Sequence, residues 1–209
     1  RMTVSCPREV PLLLSLLLAF DCHIAAALSA MRLPKLLVFD LDACLWMPEM
    51  FLLDGAPQAY DESARGVSAG SNHVRLLPGA QRVLEKIVSD PELSKVQIAV
   101  ASSTSRPAYA LTCLDELRVG PRRLSALVSY REIFPGNKGL EHFPKLRESS
   151  GIDCADMVFW DDCTYGDNCG DVARNCPGVV CVRTPEGITE ELFALGLHKF
   201  AQGQAGVVS

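Results

Sequence analysis

Apolar positions along this chain fall into two patterns. Short unbroken runs occur at 35–40 (KLLVFD), 96–101 (VQIAVA), 157–161 (MVFWD) and 179–183 (VVCVR), with a fifth, ALVSY, at 126–130. Strands of a parallel sheet read this way, because helices cover both faces and leave no polar side. Between the runs the spacing becomes helical. Pro78-Gly79 opens a segment that sets Val83, Leu84, Ile87 and Val88 on one face. Pro107 suits the first turn of a helix reaching Leu117, where its missing N–H costs nothing. Residues 138–149 and 188–200 complete the helices. This alternation predicts an α/β domain, a three-layer Rossmann-like arrangement around a central parallel sheet. Residues 54–75 show neither period and are rich in Gly, Ser and Ala, so they read as a long loop between the first strand and the first helix. The wider stretch 47–77 reads as a small lid, since loops of this length are often functional.

The first thirty residues follow another pattern. VPLLLSLLLAF at 10–20 is too short for a membrane span, which needs about 20 apolar residues. Arg1 and Arg8 precede it and the small residues of 25–30 follow. This is the outline of a targeting presequence, weakened by Glu9 and Asp21. The other reading is an upstream extension, with translation starting at Met31. The domain is therefore 31–209, and no stable membrane span is expected. A start at Met31 implies a cytoplasmic protein, and a presequence a secretory or organellar one.

Composition narrows the function classes. Of 209 residues, 48% are hydrophobic and 22% charged, which excludes a disordered chain. The net charge is −5 and no Lys/Arg run exceeds two residues, so nucleic acid is not an expected partner. The nine cysteines contain no C-x-x-C pair. An odd count in a chain large enough to bury a core favours reduced thiols.

Ligands of open α/β sheets bind beyond the carboxyl ends of the strands. Four such ends carry polar residues here. Asp40 and Asp42, two residues apart, can serve as nucleophile and general acid–base or attract a divalent ion; Asp pairs also cap simple turns. Ser102, Ser103, Thr104 and Ser105 precede a helix N-terminus and could hold an anion, or merely cap the helix. Lys138 stands near a helix start, where the dipole disfavours a cation, which suggests a pairing with phosphate; most lysines are simply solvated. Asp161 and Asp162 are adjacent carboxylates at the end of a buried strand, and a cation such as Mg²⁺ would relieve their repulsion.

The order Asp-x-Asp, Ser, Lys, Asp-Asp, each after its own strand, resembles the four motifs of the haloacid dehalogenase superfamily. Within it, the chain resembles the eukaryotic magnesium-dependent phosphatases, a branch with no large cap. The resemblance covers about 32–206. It rests on LPKLLVFDLDACLW at 33–46, REIFPGNK at 131–138, MVFWDD at 157–162 and FAQGQAG at 200–206.

The resemblance implies a Mg²⁺-dependent phosphomonoester hydrolase with an aspartyl-phosphate intermediate. Asp40 would attack phosphorus, and Asp42 would protonate the leaving group and then deprotonate water. Ser102, Ser103, Lys138 and the Leu41 and Asp42 backbone would meet the substrate. The Asp40 side chain, the Asp42 carbonyl and Asp162 would hold Mg²⁺, with Asp161 the runner-up. An open site suits phosphotyrosine proteins or sugar phosphates, and the enzyme would act as a monomer.

Three departures stand out. Cys44 replaces the usual Thr and is a weaker donor. Ser103 replaces an Arg common in the nearest family, with Arg106 nearby. The 163–169 segment is about two residues longer, which leaves Asp167 and Asn168 as candidate supports of the metal carboxylates. These departures permit a catalytically silent relative that binds a phospho-ligand or a protein. A dehalogenase or phosphonatase fits less well, and a receiver domain has its motifs in the wrong order.

Overall fold

The computed structural model describes residues 32–208. In chain order the strands are β1 (Leu36–Phe39), β2 (Trp46–Met47), β3 (Pro57–Asp61), β4 (Gly66–Ala69), β5 (Asn72–Leu76), β6 (Gln97–Ser102), β7 (Arg118–Val119), β8 (Arg122–Arg123), β9 (Tyr130–Ile133), β10 (Met157–Asp161), β11 (Val180–Arg183) and β12 (Gly206–Val208). The α-helices are α1 (Pro78–Ser89), α2 (Pro107–Glu116), α3 (Phe143–Ser150), α4 (Asn168–Asn175) and α5 (Glu190–Ala201).

The central sheet has the order β12-β11-β10-β1-β6-β9 and is parallel at every pairing. Its middle strands are the apolar runs of the sequence: every residue of β1 and β10 is buried. Alternate side chains point to opposite faces. One face joins Leu36, Val38, Phe159 and Cys181 to Phe143 and Leu146 of α3 and Val172 of α4. On the other, Trp160 stacks on Phe39 with ring centres 5.1 Å apart and lies 5.2 Å from Phe193 of α5. Helices on both faces make the three-layer α/β arrangement the alternation predicts.

Four expectations need correction. The fifth strand is Tyr130–Ile133, not 126–130, and Leu124–Ala126 form a 3₁₀ turn. This strand lies at the sheet edge, so Arg131 is exposed, and the apolar residues upstream close the 3₁₀ turn and lead into the strand, with Leu124 and Val128 buried. The stretch 54–75 is not a bare loop. It supplies β3, β4 and β5, which with β2 make a four-stranded antiparallel sheet ordered β2-β5-β4-β3. Its strands are short and mostly half-exposed, so their alternation is faint in the sequence. Helix α4 and strand β12 were not expected at all. Among the described residues no helix is long and apolar enough to cross a membrane. The expectation for 1–30 lies outside the described residues.

Candidate active site

Three strand ends and one helical turn converge at the carboxyl edge of the sheet. Asp40 follows β1, Ser102 ends β6, Asp161 ends β10 and Asp162 follows it. Lys138 opens a π-helical turn, Lys138–His142, that leads into α3. The side chain of Asn137 caps that turn by accepting from the Leu140 N–H at 3.0 Å. Asp40, Asp42, Ser102, Ser103, Lys138 and Asp162 line one cleft of about 600 Å³.

Lys138 is the centre of the charge arrangement. Its ammonium is 2% exposed and donates to Asp40 Oδ1 at 2.7 Å and Asp161 Oδ2 at 2.5 Å. Burial works against this cation, but the charges of Asp40 and Asp161 outweigh burial and hold it above the usual lysine range. Asp40 goes the other way: burial pushes its carboxyl well up, and the neighbouring Asp161 adds to that against the pull of Lys138. Burial also pushes on Asp161, but Lys138, the Asn168 amide and the Cys163 N–H together hold it below the usual range.

The two carboxylates after β1 have different surroundings. Asp40 spends Oδ1 on Lys138, and Oδ2 has no hydrogen-bond donor among the described residues. Asp42 has both oxygens engaged. Trp46 Nε1 donates to Oδ1 at 2.6 Å and the Met50 N–H to Oδ2 at 3.2 Å, with the Thr104 hydroxyl also in reach. Burial nevertheless raises the Asp42 pKa. The Leu41 side chain is buried, its carbonyl accepts from the Leu45 and Trp46 N–H groups, and its own N–H has no acceptor among the described residues.

The sequence left Asp161 and Asp162 as rival metal ligands, and their contacts differ. Both Asp161 oxygens are taken, by Lys138, the Cys163 N–H at 2.8 Å and Asn168 Nδ2 at 3.0 Å. Among the described residues, Asp162 accepts only from the Thr164 N–H, at 2.9 Å, which leaves its other oxygen without a donor there. Asp40, Asp161 and Asp162 each offer an oxygen, and these atoms lie within 4.8 Å of one another. Three carboxylates with one lysine leave the group net negative. An all-oxygen donor set suits a hard cation such as Mg²⁺ and not a thiophilic one.

Of the three departures, Cys44 keeps its post. It is fully buried, its thiol reaches the Trp160 carbonyl at 3.6 Å, and its sulfur accepts from the Thr184 hydroxyl at 3.4 Å. Ser103 lines the cleft, and its hydroxyl donates to the Gly136 carbonyl at 2.9 Å. Arg106 does not replace a phosphate clamp, because its guanidinium donates to the Leu53 carbonyl at 3.1 Å and lies over the Tyr109 ring. Asp167 caps α4 at the Gly170 N–H and pairs with Arg183, whereas Asn168 supports Asp161. All seven described cysteines are free thiols.

Sequence reasoning missed two side chains that shape the site. Trp46 holds Asp42, and only its neighbourhood in the 33–46 stretch hinted at a role. His142 is buried and stacks on Phe134 with ring centres 4.0 Å apart. With its proton on Nε2, its neutral ring donates to the carbonyls of Ser102 (3.1 Å) and Phe134 (3.0 Å), tying the Ser102 strand end to the loop before Lys138.

The acid phosphatase family profile matches residues 32–203. Human magnesium-dependent phosphatase 1 is 34% identical over 178 residues, covering 84% of this chain and 92% of that protein. A HAD-like hydrolase superfamily protein of Schizosaccharomyces pombe is 30% identical over 133 residues, covering 62% of this chain and 76% of its own. Among solved structures, the N-terminal part of a Bacteroides fragilis protein, containing a phosphatase domain complexed with Mg, aligns with a TM-score of 0.52 at 18% identity. That alignment covers 88% of this chain, which spans 42% of the length of that structure's chain. The fold is haloacid dehalogenase-like, with no large cap among the described residues. The chain belongs to the acid phosphatase family.

Proposed function

We propose that this chain is a Mg²⁺-dependent phosphatase that hydrolyses phosphate monoesters, with Asp40 as nucleophile and Asp42 as general acid–base. The observation that carries the reading is the unequal setting of the two carboxylates. Lys138 fixes Asp40 through one oxygen and leaves the other free to attack phosphorus. Asp42 is held by Trp46 and Met50 in a buried setting that favours keeping a proton. It gives that proton to the departing alkoxide, then takes one from the water that hydrolyses the aspartyl-phosphate. Covalent catalysis thereby replaces one hard displacement with two easier ones. Lys138 and the Ser102 hydroxyl bind phosphoryl oxygens, and the untaken Leu41 N–H adds a donor. Asp40, the Asp42 carbonyl and Asp162 would hold Mg²⁺, which when bound offsets the negative charge of carboxylate and phosphate. Asp161 keeps Lys138 in place.

For the substrate, the favoured class carries a flat face beside its phosphate, as phosphotyrosine does. Phe51 and Tyr165 meet edge to face at 5.8 Å, both are exposed, and both line the cleft. Sugar phosphates are the comparison class, since a sugar face also packs on aromatic rings.

The test is phosphate release from an aryl phosphate by the full chain, with and without Mg²⁺, beside Asp40→Asn. Mg²⁺-dependent turnover that falls on the order of 10³-fold or more in Asp40→Asn is the expected result. Borohydride trapping of an acyl phosphate at Asp40 identifies the intermediate. A folded wild-type chain that binds Mg²⁺ and releases no phosphate would overturn the reading in favour of a silent binding protein.

A further inference from the structure

Away from the active site, the first turn after α4 is pressed against the 3₁₀ turn Cys154–Asp156. Gly178 sits there with φ +105°, and a Cβ on it would lie 2.9 Å from the Ala155 Cα, so only glycine permits this approach. The approach brings Cys154 and Cys176 together. Cys176 is buried in the core layer, and Cys154 is half-buried against that layer. Both line a separate cleft of about 360 Å³ with Pro144, Arg147, Asn175 and Pro177. Arg147 and Asp153, paired at 3.4 Å, are the charged groups at this cleft.

We infer that Cys154 is a peroxide-reactive thiol and Cys176 its resolving partner, closing to a disulfide that acts on the turn carrying Lys138. The chemistry of the pair favours this order of events. The neighbouring Cys176, opposed by burial and helped by the Arg147 charge, brings the Cys154 thiol down to about 7. The neighbouring Cys154, together with burial, pushes Cys176 up. Nucleophilic thiolate thus forms on the member that solvent can reach. The Cys154 thiolate attacks one oxygen of hydrogen peroxide. The O–O bond breaks, an S–O bond forms and hydroxide leaves. The Cys176 sulfur then attacks the sulfenic sulfur. An S–S bond forms, the S–O bond breaks, and the departing hydroxide takes the Cys176 proton as water. Overall, two thiols and one peroxide give one disulfide and two waters.

The link to the active site is a single contact. The Cys176 thiol donates to the Gly139 carbonyl at 3.3 Å, and Gly139 directly follows Lys138. Gly139 lies so close to α4 that a Cβ there would meet the Asp171 carbonyl at 2.5 Å. Oxidation removes the S–H donor from this tight junction and turns Cys176 toward Cys154, away from Gly139.

The experiment treats the reduced full chain with one equivalent of hydrogen peroxide, alkylates it, and maps peptides without reduction. The expected product is a Cys154–Cys176 cross-linked peptide, lighter by two hydrogens and reversed by dithiothreitol. Cys154→Ser, a change at the half-exposed member, should abolish it while Cys176 remains alkylatable on denaturation. Affinity for inorganic phosphate in Mg²⁺, which needs no turnover, should weaken about threefold or more on oxidation and recover on reduction, as loss of one hydrogen bond implies. A first cross-link at Cys163–Cys169, or Cys154 going to sulfinic acid with Cys176 untouched, overturns the assignment of the pair. A Cys154–Cys176 disulfide with unchanged phosphate affinity overturns the link to Lys138.

Discussion

The hydrogen bond from Trp46 to Asp42 holds in place the carboxyl proposed as the proton carrier, without supplying a charge to compete with phosphate. Trp46→Phe retains most of the ring's packing and removes the donor 2.6 Å from Asp42 Oδ1. An unsatisfied buried acceptor costs about 1–3 kcal/mol. The expected result is a kcat reduced about tenfold or more with KM little changed, because the proposed phosphate contacts, Lys138 and Ser102, are left in place. An unchanged kcat would show that Asp42 holds its place without Trp46. At Lys138 the balance is electrostatic. Lys138→Met leaves Asp40 and Asp161 buried without their cation, and breaking a buried pair in this way costs about 3–5 kcal/mol. Thermal melting should show a large loss of stability that Mg²⁺ partly restores, by a larger shift than in the wild type. A variant as stable as the wild type would mean that the carboxylates simply take up protons.

Between the elements, His142 is the tie most sensitive to pH. Burial lowers its pKa below the ordinary 6.5, with the Lys138 charge acting in the same direction against the carbonyls that face the ring. Above pH 6.5 the imidazole is neutral in both folded and unfolded chains, and its contribution to stability is complete. As pH falls below 6.5 the unfolded chain takes up the proton first, so stability declines until the folded pKa is passed. Melting curves of wild type and His142→Gln between pH 7.5 and 5 should converge on acidification; parallel curves would remove His142 as the cause. Elements were legible in the sequence where burial is complete. β1, β6, β10 and β11 are nearly continuous apolar runs because helices cover them on both faces. The antiparallel β2–β5 sheet was not legible, since its strands are short and half-exposed and Gly, Ser and Ala mask their alternation. Helix α4 was overlooked because it is short and its buried face, Cys169, Gly170 and Val172, holds a single branched apolar residue. In the site, the order of the motifs brought Asp40, Asp42, Ser102, Lys138 and Asp162 into view. Asn168, a candidate support in the sequence, holds Asp161, whereas Trp46 was seen only as part of a motif and His142 acts through a contact with Ser102 across 40 residues that no local pattern records.

Across the whole molecule, the candidate site is also a charge imbalance built into the fold. Asp40, Asp161 and Asp162 face one Lys138 at the edge of the central sheet, and all four are buried. The unfolded chain has no such cluster, so a divalent cation that binds it stabilises the folded state alone. The gain is RT ln(1 + [L]/Kd), about 2.7 kcal/mol when Mg²⁺ is 100 times its dissociation constant. In a domain of this size each kcal/mol moves the melting temperature by about 2–4 °C. Saturating Mg²⁺ should therefore raise the melting temperature of the chelator-treated protein by roughly 5–10 °C. The free oxygen of Asp162 is the atom expected to carry much of this gain, because both oxygens of Asp161 are spent on Lys138, Asn168 and Cys163. Asp162→Asn should melt near the metal-free wild type and lose most of the Mg²⁺ shift. Asp161→Asn should lower the starting stability by freeing Lys138 while keeping more of the shift. If Asp161→Asn abolishes the shift and Asp162→Asn preserves it, the two aspartates exchange roles, and Asp161 becomes the ligand that the sequence ranked second.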